Sequence, residues 1–129
     1  MGQVKIFGSV ETLELYRREI SDAVHPALVS AFDYPGEKRF QRFFPLPGED
    51  FLHPADRTKD YLVIEVILFP GRSVEAKKAF YRLVLANLES STTIPSADVE
   101  IVLIESSREN WLIRGMPGDE LKLNYRVEV

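Results

Sequence analysis

The chain has 129 residues, of which 45% are hydrophobic and 28% charged, with a net charge of -4 and no cysteine. That length suits one domain around one core. The acidic balance argues against nucleic acid, which needs an excess of Lys and Arg, and the missing cysteine excludes disulfides, thiol catalysis and Cys-ligated zinc.

The first element is a short strand, Gln3–Phe7, with Val4 and Ile6 flanking Lys5. From Glu11 to Phe32 the apolar positions Leu13, Tyr16, Ile20, Val24, Ala27, Leu28 and Ala31 recur every three or four residues. This spacing predicts an amphipathic helix with Ser9 as its N-cap. Pro26 removes a backbone donor and predicts a kink or a fresh start there. Pro35-Gly36 closes the unit, and Arg39–Phe44 reads as a strand with Phe40 and Phe44 on one face. Pro45–Asp60 holds three prolines and a glycine and reads as a long loop of a length that is often functional.

Tyr61–Phe69 is nearly all apolar and rich in Val and Ile, which predicts a strand covered on both faces, with Glu65 needing a partner or a wet edge. The run is too short to span a membrane. No signal-peptide pattern opens the chain, so a cytoplasmic protein with no membrane partner is the expectation. Pro70-Gly71 turns into a second helix, Ser73–Leu88, capped by Ser73 and marked on its inner side by Leu83, Val84, Asn87 and Leu88. Asp98–Ile104 is another strand, followed by turn chemistry through Gly115, Met116, Pro117 and Gly118. In Leu121–Val129, alternate residues (Leu121, Leu123, Tyr125, Val127, Val129) are apolar or aromatic, which predicts a final strand with one face inside.

The two halves match in detail. Gly8-Ser9-Val10-Glu11 opens the first helix, and Arg72-Ser73-Val74-Glu75 opens the second. The fold class is therefore α/β (α+β): one domain over 1–129, with repeat units 1–46 and 61–105 and an extension over 106–129. Duplicated β-α-β units, each with a parallel strand pair and a right-handed crossover, form a four-stranded sheet with two helices on one face. The uncovered apolar face and the partnerless terminal strand point to self-association.

Gly71-Arg72-Ser73-x-Glu75-x-Lys77 and Asn110-Trp111-x-Ile113-Arg114-Gly115, with the duplicated unit, resemble the tautomerase superfamily. The similar branch contains malonate semialdehyde decarboxylase. The resemblance implies a homotrimer in which neighbouring strands pair and complete the sites. It also implies action on small 2-oxo or 3-oxo carboxylates without metal or cofactor. The family's N-terminal proline, its base or nucleophile, falls at Gly2, and its carboxylate-binding arginine falls at Arg72. A second arginine of some members falls at Phe69, the water-activating aspartate at Lys38, and a pocket aromatic at Trp111.

Each candidate carries a plainer reading beside the functional one. Gly2, with Met1 removed, is either a catalytic amine or a simple strand start. Arg72 at a helix start is either a carboxylate ligand or a solvated arginine. Arg39 and Arg42 point to opposite faces, so only one of them joins a given pocket, and Lys38 reads as a surface lysine. Trp111 and Arg114 either wall a substrate pocket or pack between subunits. His25 and His53 are too isolated for a metal site. Three functions stay open: a tautomerase or decarboxylase, a non-catalytic trimer that binds a small carboxylate, and a protein that only assembles.

Overall fold

The computed structural model describes residues 2–123 and 126–129. In chain order its strands and helices are β1 (Gly2–Ser9), α1 (Val10–Phe32), β2 (Gln41–Leu46), β3 (Leu62–Leu68), α2 (Val74–Ser91), β4 (Val99–Glu105), β5 (Leu112–Ile113) and β6 (Met116–Pro117). β1 runs parallel to β2, and β3 runs parallel to β4. The pairs join antiparallel through β1 and β3, giving one sheet in the order β2-β1-β3-β4. A parallel pair needs a long connection, and α1 and α2 supply one each.

Both helices begin in the same way. Ser9 Oγ accepts from the Thr12 amide and Ser73 Oγ from the Ala76 amide, each at 3.1 Å. A serine cap satisfies one otherwise free N–H and is worth about 1 kcal/mol. The expected kink at Pro26 is not where α1 departs from helical geometry. The break falls at Tyr16 (φ −120°, ψ 16°), whose hydroxyl bonds Thr93 Oγ1 beyond the end of α2, at 2.9 Å. Pro26 is exposed, and packing of its neighbours Val24, Ala27 and Leu28 into the core carries the helix through it.

The core fills the space between the helices and one face of the sheet. Val4 and Ile6 of β1 and Leu62, Ile64, Val66 and Leu68 of β3 meet Leu13, Ile20, Val24, Leu28 and Phe32 of α1 and Phe80, Val84 and Leu88 of α2. The opposite face corrects the expectation of a doubly covered β3. Val63, Glu65 and Ile67 are only half-buried there, because both helices lie on the other side. The outer face is apolar along several rows. Phe7 stacks on Phe44 at 4.7 Å, and Val102 and Ile104 are exposed. Glu65 stands across the ladder from Lys5.

The predicted final strand also needs correction. Residues 121–123 and 126–129 form no strand, and Asn124 and Tyr125 lie outside the described residues. The tail docks back on its own chain instead. Val129 O accepts from the Ser73 amide at 2.9 Å, at the opening of α2. A Cβ on Gly71 (φ +132°) would stand 3.0 Å from Val127 O, so glycine suits both the turn and the close crossing. Free amide groups at a helix start compete for such a segment as well as a neighbouring strand does. Among the described residues no helix is long and apolar enough to cross a membrane.

Candidate functional site

The sheet register separates two ends. Gly2 pairs with Leu68, and Gly8 pairs with Leu62. Those six steps of extended chain place the ends about 20 Å apart. The long loop enters β3 at the Leu62 end, so within one chain it does not close over Gly2.

At the Gly2 end, the Gly2 amide donates to Tyr34 Oη at 2.8 Å, and the same hydroxyl lies 3.4 Å from Gly2 O. Both residues are buried. Asp33, which ends α1 in the left-handed region (φ 53°), turns Tyr34 inward. The Tyr34 ring meets the edge of His25, centroid to centroid 6.3 Å, and His25 Nε2 bonds Gly36 O at 2.7 Å. That carbonyl accepts, so Nε2 carries the proton.

The segment after β4 builds the wall beside this end. The Ser106 amide donates to Leu68 O at 2.9 Å and the Trp111 indole donates to Ser106 O at 3.2 Å. Trp111 then meets the Phe69 ring edge-on at 5.3 Å. Arg108 lies over the other side of this cluster, 5.6 Å from the Phe69 centroid, and donates to Gly118 O at 2.9 Å and to Leu121 O. A Cβ on Gly118 would stand 2.3 Å from Arg108 O, so only glycine fits there. β5 and β6 form a hairpin whose two turn residues, Arg114 (φ 54°) and Gly115 (φ 79°), both have positive φ. Such a turn suits the right-handed twist of the strands, but a non-glycine residue in it is strained by about 1 kcal/mol. The hairpin presents Arg114 to solvent at its tip.

A cavity of about 330 Å³ brings together Trp111, Arg114, Lys38, Phe40, Gln3 and the hairpin. It contains two of the candidate residues, and Gly2 is the chain neighbour of Gln3. Arg72 is not at its lining. Arg72 is buried, donates to Phe69 O at 2.8 Å and lies over the Phe32 ring at 5.4 Å, which sets it behind the Phe69 wall. Arg39 goes elsewhere. It pairs with Asp22 at 2.6 Å on α1 and borders a separate, larger depression of about 700 Å³ lined by charges of both signs. We favour the smaller cavity as the site, because Trp111 and Arg114 line it together with Gln3, the chain neighbour of Gly2. Arg42 bonds Gln3 Oε1, on the side of the chain opposite Arg39.

The Leu62 end is chemically closed. Asp98, fully buried, accepts from the Thr58 amide at 2.9 Å and from the Thr58 hydroxyl. Thr12 Oγ1 bonds Asp60 Oδ1 at 2.8 Å. Glu100 takes Arg57 at 3.0 Å and the Tyr61 hydroxyl at 2.9 Å. The bond to Glu100 and the charge of Asp56 raise the Arg57 pKa, while partial burial and then the Glu100 bond raise that of Tyr61. Among the described residues no cluster of three or more His, Asp or Glu is placed to hold a metal.

Tyr34, Gln3 and Phe40 were not among the sequence candidates. Tyr34 sits in Asp-Tyr-Pro-Gly, which reads as a turn and gives no sign that its ring folds inward. Lys38 reads as a surface lysine, yet alternation along the extended 38–40 segment sends Lys38 and Phe40 to the cavity and Arg39 to the helix side.

The family described as tautomerase enzyme matches residues 38–114. A probable tautomerase of Bacillus subtilis (strain 168), YrdN, is 32% identical over 99 residues, covering 73% of this chain and 76% of its own. A solved malonate semialdehyde decarboxylase is 29% identical with a TM-score of 0.78, covering 92% of this chain and 99% of that one. A fused 4-OT described as a symmetric trimer is 10% identical with a TM-score of 0.76, covering 90% and 98%, a likeness of fold. With its mixed sheet, paired helices and these matches, the chain belongs to the tautomerase superfamily.

Proposed function

We propose that this protein is a homotrimeric keto-enol tautomerase for small 2-oxo carboxylates, with the Gly2 nitrogen as its base once Met1 is removed. The observation that carries the reading is at the head of β1. The buried Gly2 nitrogen lies one residue from Gln3, which opens into the cavity of Trp111, Phe40, Lys38 and Arg114. Loss of Met1 turns a non-basic amide into a primary amine with a reference pKa of about 7.7–8.0. Burial lowers that value toward neutrality, where a general base works best.

The chemistry needs only one proton carrier. The neutral amine takes the enol hydroxyl proton as the C–O bond becomes a carbonyl, and the C=C electron pair takes that proton from the ammonium at the adjacent carbon. Arg114 and Lys38 hold the carboxylate, and Trp111 and Phe40 wall the apolar part. Arg72 contributes positive charge from behind Phe69. Tautomerisation is favoured over decarboxylation because Lys38 stands where the decarboxylase branch carries its water-activating acid. The trimer is supported by the apolar outer face, the two open edge strands β2 and β4, and the trimeric state named for fold neighbours.

A chain that keeps Met1 fits the second reading, a trimer that binds a small carboxylate without turning it over. Its Gly2 nitrogen is then an amide donating to Tyr34, with no basic lone pair. Intact mass of the protein from its native host, followed by phenylenolpyruvate ketonisation, separates the two. Loss of Met1 with turnover that drops about 30-fold in kcat/KM in Arg114→Ala supports the tautomerase, since a charged hydrogen bond contributes ~2 kcal/mol. Retained Met1, or turnover no faster than buffer, overturns it.

A further inference from the structure

A proline at the head of β1 would fix its nitrogen through its own ring. Glycine has no such restraint, and a loosely held base loses rate. Yet the Gly2 nitrogen in this chain is not loosely held. Tyr34 Oη lies 2.8 Å from Gly2 N and 3.4 Å from Gly2 O, so one hydroxyl clasps both backbone atoms of the residue. The ring also packs on the Cα. A Cβ added to Gly2 would stand 3.2 Å from Tyr34 Oη, 3.4 Å from Cε1 and 3.5 Å from Cζ. The tyrosine itself is rigidly mounted. It is 4% exposed, its backbone lies between left-handed Asp33 and Pro35, and its ring abuts His25, which is anchored on Gly36 O.

We infer that Tyr34 is the positioning residue for the Gly2 nitrogen, holding it where a proline ring would otherwise do so and setting its proton affinity. This rests on the reading of that nitrogen as the base. Gly2 and Tyr34 are then a matched pair, because the hydroxyl occupies space that any side chain at position 2 would crowd. In the Met1-free protein the ammonium form donates to Tyr34 Oη, which favours the charged form and raises the amine pKa against the lowering effect of burial.

The test uses Met1-free protein labelled with 13C,15N-glycine, in which the α-amino group of Gly2 titrates as the one glycine amine. Tyr34→Phe is expected to lower that pKa by about one unit, the equivalent of one charged hydrogen bond. The rising limb of the kcat/KM profile for phenylenolpyruvate moves to lower pH by the same amount. kcat falls about 10-fold, while KM changes less than twofold. An unmoved amine pKa in a variant that melts like the wild type overturns the inference. Should Tyr34→Phe not fold, Gly2→Ala tests the pair from the other side. Its methyl would stand 3.2 Å from Tyr34 Oη and pushes the hydroxyl off the nitrogen, so in Met1-free protein labelled with 13C,15N-alanine the amine pKa falls in the same direction, and an unmoved pKa again overturns the inference. A shifted pKa with no turnover in either protein leaves Tyr34 in its role and removes only the tautomerase reading.

Discussion

The two ends of the sheet use their buried polar residues differently. At the Leu62 end, acids meet donors one for one: Asp98 with Thr58, Asp60 with Thr12, and Glu100 with Arg57 and Tyr61. At the Gly2 end, Arg72 donates to Phe69 O, and Arg108 to Gly118 O and Leu121 O. Lys38 and Arg114 line a cavity with rings and no carboxylate. One end is therefore closed by acid–donor pairs, while the other sets Arg72 and Arg108 against backbone carbonyls beside an open cavity.

The largest expected effect separates stability from activity. Asp98→Ala removes the buried carboxylate that accepts from the Thr58 amide and hydroxyl, two charged hydrogen bonds together worth about 3 kcal/mol. Denaturant unfolding at one fixed protein concentration should show that loss, with kcat/KM for phenylenolpyruvate unchanged within about twofold. A parallel fall in activity in the still-folded variant would mean that the two ends are coupled through β3, and the comparison would fail.

Arg114→Asn probes the other end with the opposite signature. Asparagine adopts positive φ more readily than arginine, so the hairpin is expected to gain about 0.5–1 kcal/mol. The same change removes a cation from the cavity and lowers kcat/KM by about 30-fold, or ~2 kcal/mol. A variant that gains stability and keeps its activity would show Arg114 to be a turn residue and nothing more.

Local signals explain what was legible in the sequence. Ser9 and Ser73 mark both helix starts because a cap depends only on the next three residues. The strands of the sheet follow from short apolar runs between turn residues, and the parallel pairs follow from the helical connections of the two β-α-β units. What was not legible depends on distant partners. The alternation in Leu121–Val129 fits a strand, but Val129 found the opening of α2. Arg72 is named by its motif, while its burial behind Phe69 depends on Phe32, forty residues earlier. Tyr34 is the sharpest case. Its turn-like setting conceals a contact with Gly2 that no periodicity encodes.

The smallest effect tests the closed end by pH. Partial burial and the bond to Glu100 raise the Tyr61 pKa above its ordinary 10.0 in the folded chain, so folding disfavours the phenolate. Stability from this group is complete below pH 10 and is lost as pH climbs through the raised value. Tyr61→Phe removes the hydrogen bond and should cost about 1 kcal/mol near neutrality. The gap between the two proteins should then narrow above pH 10, because only the wild type still has this phenol to ionise. Paired unfolding curves at pH 8 and pH 10.5 read the difference directly. Curves that coincide at both pH values would mean that Glu100 is held by Arg57 alone, at 3.0 Å, and that the hydroxyl of Tyr61 adds nothing to the closure of the loop.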